Sequence, residues 1–330
     1  SFYAVINYCN NLLYYAPQVV ERDINFSQAD LARLQSEVLT IRALSYFYLV
    51  RAFKDVPLYL NPSIDDAQKY NIPKSSETVV LDQIIADLKT ALPNARNDFG
   101  NKLYDKGRIT KNAINALLAD VYLWSGKYQE AADACDQVLA DSKLKLVDPS
   151  FMYSQVFYLG NSSESIFELQ FDDDVQINNA VFNLYGVAGD NFGEFGYPAT
   201  LAVDYVNNQV GQYSPFVYKV STTVTESEDD VRSHDSYVQF GGKFFVFKYA
   251  GLARQVNASG VSSYFYRTST PNWIIYRLSD VILMKAEALT QLDTDQDDNS
   301  KLTAAVQLVN KTYLRSNKDA DSIRLANYAT

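Results

Sequence analysis

The chain has 330 residues, 47% hydrophobic and 21% charged, a balance that excludes wholesale disorder and allows one large domain or two ordinary ones. Its formal net charge of -10 excludes a nucleic-acid partner, because phosphate recognition needs a basic footprint. Every apolar run is interrupted by charges or turns before it reaches the length of a membrane span.

The first half reads as helices. Phe2 to Tyr15 is apolar-rich and is expected to stop at Pro17. Ser27 can cap a helix that runs to Phe53, before Asp55-Val56-Pro57. A third helix starts near Ser75-Ser76-Glu77; Val80, Ile84, Leu88 and Leu92 stand at four-residue steps on one stripe, and Pro93 ends it. Residues 94–106 read as a loop. Thr110 then caps a helix to Ser125, Gly126 breaks it, and Lys127 to Ala140 resumes the helical period. Within that pair Leu118, Ala119, Tyr122, Gly126, Tyr128 and Ala131 fall at tetratricopeptide spacing, where small residues let two antiparallel helices approach. Val138 stands where the repeat usually has another small residue. Cys9 and Cys135, far apart and both in helical patterns, read as buried free thiols and exclude a four-ligand zinc site.

The pattern changes at residue 148 and stays irregular to 270. Ser165 to Phe171 alternates, which puts Phe167, Leu169 and Phe171 on one face of a half-buried strand. Lys243 to Tyr249 is a second short strand, and Gly241-Gly242 a turn signal. Helix returns from Asn272 to Leu292 and, after an acidic loop, from Lys301 to Arg315. The fold class is therefore mainly α: tetratricopeptide-like helix pairs over 1–147 and 271–316, with a large irregular insert over 148–270 containing a few short β-strands. Function is expected in such an insert.

Catalytic chemistry is thin. His234 is the only histidine and lies in a polar, acidic stretch, so a histidine-based triad or metal cluster has no support. Glu164, Glu168, Asp190 and Glu194 could supply the two carboxylates of a glycoside hydrolase, but nothing in their spacing singles out a pair. Asp293, Asp295 and Asp297 match the start of an EF-hand-like loop, which fails at Asp298 and Ala304; a solvated connection is the favoured reading. No cofactor is expected. The stretch 183–197 interleaves Tyr185, Phe192, Phe195 and Tyr197 with glycines, asparagines and acids. Rings that pack on the C–H faces of sugars, beside hydrogen-bonding groups, make these four aromatics the ligand-binding candidates. Aromatics that fold back onto the scaffold are the plainer alternative.

Four blocks resemble the SusD/RagB family of outer-membrane nutrient-binding lipoproteins of Bacteroidetes. The first runs from Glu37 through Arg42-Ala43 and a tyrosine-rich helix to Phe53-Lys54-Asp55-Val56-Pro57, with Lys54 in place of the usual glycine. The second is Ile84 to Pro93, and the third Gly107-Arg108-Ile109-Thr110-Lys111 continuing through Leu117 to Leu123. The fourth, Arg277 to Ala288, has Asp280 for a usual glutamate and Lys285 for a frequent tyrosine. Glu164 to Phe171 is similar to the strand that opens the family's second half.

The resemblance implies one SusD-like domain over 1–330 that binds an oligosaccharide or other nutrient at the cell surface without catalysis. It further implies delivery to a SusC-like TonB-dependent transporter, and a lipid anchor on the extracellular face of the outer membrane. The family's anchor cysteine and its late Glu-Gly-x-Arg pattern find no counterpart, so the chain reads as a fragment that omits the signal and anchor segment. A tetratricopeptide adaptor for proteins and a carbohydrate-active hydrolase are the alternatives. The irregular insert argues against the adaptor, whose ligand would lie in a groove of regular repeats.

Overall fold

The computed structural model describes residues 1–64, 71–171, 237–240, 243–246, 252–256, 262–266, 271–294, 298–317 and 321–324. The chain divides into two compact units, Ser1–Ser142 with Asp280–Ala305, and Lys143–Ser279 with Val306–Thr330.

The first unit is helical: α1 (Phe2–Val20), α2 (Gln28–Phe53), α3 (Glu77–Ala91), α4 (Lys102–Gly107), α5 (Lys111–Trp124) and α6 (Tyr128–Leu139). In it α1 packs on α2, α2 on α3, and α5 on α6. Ser27 caps α2 through a reciprocal box, its hydroxyl accepting from Asp30 N while the Asp30 carboxylate accepts from Ser27 N. Ser76 and Thr110 cap α3 and α5 in the same way from one side. The α3 stripe is buried at Val80, Ile84 and Leu88, and a short 3₁₀ turn at Leu92–Asn94 ends the helix at Pro93. Gly126, at φ +69, provides the left-handed turn between α5 and α6, where Leu118, Ala119, Tyr122, Ala131 and Val138 are all buried.

Two expectations fail here. Pro17 lies inside α1, which continues to Val20: proline removes one hydrogen bond near the end of the helix, too small a loss to stop a helix packed on α2. The supposed loop 94–106 contains α4, started by the Asn101 side chain, which accepts from Leu103 N and Tyr104 N. Beyond α2, β1 (Val56–Pro57) pairs antiparallel with β2 (Lys74–Ser75) in a two-residue ladder.

The second unit carries the strands. β3 (Ser165–Leu169) pairs antiparallel with β8 (Trp273–Arg277), β4 (Tyr237–Phe240) with β5 (Lys243–Val246), and β6 (Leu252–Val256) with β7 (Ser262–Tyr266). The strand expected over Lys243 to Tyr249 is present over Lys243–Val246, while Gly241-Gly242 and residues 247–249 lie outside the described residues. Val147, Met152, Val156 and Phe157 form a small core, against which Tyr153 and Ile274 pack.

β3 does not alternate as expected: Ser165 to Glu168 are all buried and Leu169 is exposed. Two register shifts between Ser165 and Glu168 break the period, and both faces of the strand are covered. Residues 273–277 are strand where helix was expected, because the run Trp-Ile-Ile-Tyr pairs with β3. Helix begins only with α7 (Leu278–Leu292), followed by α8 (Ser300–Ser316).

Candidate functional site

The site builds outward from a buried ion pair in the first unit. Arg42 on α2 is 6% exposed; its Nε and Nη2 donate to the two Asp87 oxygens of α3, both at 2.8 Å. A planar fork matched to a carboxylate leaves one guanidinium edge free. That edge, Nη1, donates to Asn10 Oδ1 on α1 at 2.8 Å. Asn10 Nδ2 in turn donates to the carbonyls of Tyr59 (3.0 Å) and Asn61 (3.2 Å). The Tyr46 hydroxyl accepts from Tyr59 N at 2.7 Å and donates to Tyr59 O at 2.8 Å. Tyr3 Oη donates to Pro57 O at 3.0 Å, and Ser63 N donates to Asn7 Oδ1 at 2.9 Å. Segment 57–63 is therefore laced along α1 by Tyr3, Asn7 and Asn10, which stand four and three residues apart on one helix face.

Between them lies a cavity of about 330 Å³, within the range of small-molecule sites. The rings of Tyr3 and Tyr59, edge to face at 5.8 Å, form its walls with Ile6 and Pro57. Among the described residues no charged side chain lines it. Asn10 uses both its donors and one acceptor position on these framework contacts. Asn7 Nδ2, the Asn61 carboxamide and the Ser63 hydroxyl have no partner among the described residues and give the cavity neutral hydrogen-bonding groups. Burial pushes the Tyr3 and Tyr46 phenols above their ordinary range, so both stay protonated donors.

The sequence-derived ligand candidates Tyr185, Phe192, Phe195 and Tyr197 lie outside the described residues, as do His234, Asp190, Glu194 and Asp295 to Asp297. Glu164 and Glu168 are described, and both are 0% exposed. Glu164 accepts from Val147 N at 2.9 Å and from Arg315 Nη1; Glu168 accepts from Asn161 N and Asn272 Nδ2, both at 2.9 Å, and from Ser165 Oγ. These carboxylates tie the second unit together and have no path to a polymeric substrate. Among the described residues no group of three or more His, Cys, Asp or Glu is placed to hold a metal, and no helix is long and apolar enough to cross a membrane. Cys9 and Cys135 are buried and unpaired as expected, and burial pushes their thiols up to about 11 and about 12. The Tyr3 cavity was missed from sequence, although Tyr3, Asn7 and Asn10 already share one face of an amphipathic helix.

Residues 1–123 match a family model described as starch-binding and associating with the outer membrane, and residues 197–322 match that of the SusD family. Two SusD-like proteins of Formosa agariphila are similar in sequence. P2 is 26% identical over 323 residues, covering 92% of this chain and 60% of the relative; P38 is 23% identical, covering 100% and 63%. The chain thus spans less than two thirds of the length of these curated relatives. A SusD superfamily protein from Bacteroides thetaiotaomicron superposes with a TM-score of 0.72 at 24% identity, over 99% of this chain and 68% of that one. A laminarin-binding SusD-like protein superposes with a TM-score of 0.69 at 21% identity, over 99% and 71%. Three of the motif blocks read from the sequence lie within residues 1–123 and the fourth within 197–322. The chain belongs to the SusD/RagB family.

Proposed function

We propose that this protein binds an oligosaccharide at the cell surface and passes it, unaltered, to a SusC-like TonB-dependent transporter in the outer membrane. The observation that carries the reading is the Tyr3–Tyr59 cavity: two ring walls and, among the described residues, no charged lining side chain but three neutral polar groups with hydrogen-bonding capacity to spare. Sugars need this combination, since their C–H faces pack on rings while their hydroxyls pair with amides and hydroxyls. The structural relative that binds laminarin supports the ligand class, and the family description supports the outer membrane as location. A lipid anchor and an extracellular face go with the same proposal. Tyr185, Phe192, Phe195 and Tyr197 are proposed as glycan contacts in the insert, apart from that cavity.

Calorimetry and affinity electrophoresis against a panel of soluble glycans, laminarin among them, test this. Removing a ring that forms a contact in the centre of a site costs at least about 1.4 kcal/mol, so Tyr59→Ala is expected to weaken binding about tenfold. That substitution keeps the backbone bonds to Asn10 and Tyr46. Tyr185→Ala and Phe192→Ala are expected to weaken it as well. Failure to bind any glycan, with no transporter co-purifying, would sink the proposal.

A further inference from the structure

A second cavity in the first unit, of about 520 Å³, has the opposite chemistry. It is formed by Ala29, Ala32 and Arg33 on the first turns of α2 and by the stretch Pro93–Asp98. Among the described lining residues, two guanidiniums, Arg33 and Arg96, share it with the amides of Asn94 and Asn97 and a single acid, Asp98. Arg33 is already drawn to Asp30 at 3.3 Å. Arg96 is different. Arg42, Arg51, Arg108 and Arg315 each have a carboxylate partner, whereas Arg96 has none among the described residues. It is nonetheless positioned, with its guanidinium 5.5 Å from the centre of the Phe99 ring. That ring is fixed in turn by Arg108, 4.3 Å from its centre and committed to Glu37 through two hydrogen bonds. The surroundings add to the charge: from Asn94 to Lys111 there are five cations (Arg96, Lys102, Lys106, Arg108, Lys111) against two acids (Asp98, Asp105), in a chain whose net charge is -10.

An acidic protein that leaves an oriented guanidinium unneutralised in a concavity has an anion site there in all but the ligand. The volume and the flanking amides exceed what a bare ion uses, and they match hydroxyl-bearing rings on either side of the charge. We propose that this cavity holds the carboxylate or sulfate group of an acidic saccharide, with Arg96 as its principal contact and Arg33 assisting. The site goes beyond the neutral cavity at Tyr3, and the two can be tested apart.

The probes are an oligogalacturonate, a sulfated dextran oligomer, a neutral dextran of matched length and poly-glutamate, each titrated into the chain by calorimetry. Both acidic saccharides are expected to bind more tightly than the neutral one. A guanidinium–oxyanion contact is among the strong hydrogen bonds, so Arg96→Gln should cut acidic-saccharide affinity about tenfold while leaving neutral dextran unchanged. Arg96→Lys keeps the charge without the planar fork and should fall between. Salt should weaken the acidic ligands selectively, because the site is solvent-accessible. The proposal is overturned if Arg96→Gln leaves the acidic saccharides unaffected, or if their binding is lost with Tyr59→Ala instead. It is also overturned if poly-glutamate binds as well and loses as much on Arg96→Gln, since the site then reads charge on a protein. Arg96 is exposed, so the variants are expected to melt at the parent temperature, and that measurement is the control.

Discussion

At the scale of single residues the scaffold and the candidate site are joined by one carboxamide. Asn10 receives Arg42 on its oxygen and holds segment 57–63 through its nitrogen, so the Arg42–Asp87 pair acts on the cavity through it. Such a pair is costly to break from one side, because the remaining charge is left buried. None of this is visible in the sequence: 45 positions separate Arg42 from Asp87, and no local pattern reports the pairing. Lys54 is the reverse case. The sequence marks it as standing where the family has glycine, and the structure gives the reason, since Lys54 caps α2 at φ 59 and ψ -94. A side chain with a Cβ is strained in that region, by about 1–3 kcal/mol. Lys54→Gly gives back part of this as unfolded-chain entropy and should still stabilise the protein by about 1 kcal/mol. Urea melts of the two chains measure it; an unchanged or lowered midpoint would show that the surroundings already relieve the strain.

At the scale of elements, legibility follows from how local the determinants are. The caps at Ser27 and Thr110, the start of α3 near Ser76 and the stripe at Val80, Ile84 and Leu88 are set by residues within a turn or two, and they were read correctly. β8 was misread because a four-residue run of aromatic and β-branched side chains fits a buried helix turn as well as a strand, and only pairing with β3 decides. α4 was missed because one asparagine cap starts a helix too short to show a period. The Thr110 cap is the clearest test of the local rule. Its hydroxyl accepts from Ala113 N, it is 3% exposed, and it begins the most deeply buried helix of the first unit. Thr110→Ala is expected to cost about 1–2 kcal/mol. Thr110→Ser should recover most of that in chemical denaturation, because serine restores the acceptor; if serine is as damaging as alanine, the methyl contact matters and the cap does not.

At the scale of the whole molecule the question is whether a glycan is held or cut. A hydrolase places two carboxylates on either side of an accessible scissile bond. Glu164 and Glu168, which the sequence offers for that task, are instead enclosed by the second unit's own donors. Gly160 is held so close that a Cβ would come within 2.8 Å of Asn272 Nδ2 and 3.0 Å of Glu168 Oε2. Arg315, 9% exposed at its side chain, would lose the Glu164 carboxylate if that residue were removed. Glu164→Ala should therefore destabilise the protein by about 3–5 kcal/mol, the usual consequence of removing one partner of a buried ion pair. Any glycan the folded protein binds should be recovered at its original length after prolonged incubation, as read by mass spectrometry of the oligosaccharide. Shortened products that appear with the parent chain and vanish with a Glu164 or Glu168 variant that is still folded would reverse the assignment of these acids. Stable length in the parent, with lost stability in Glu164→Ala, identifies them as the ties that hold the strands and α8 of this unit in place.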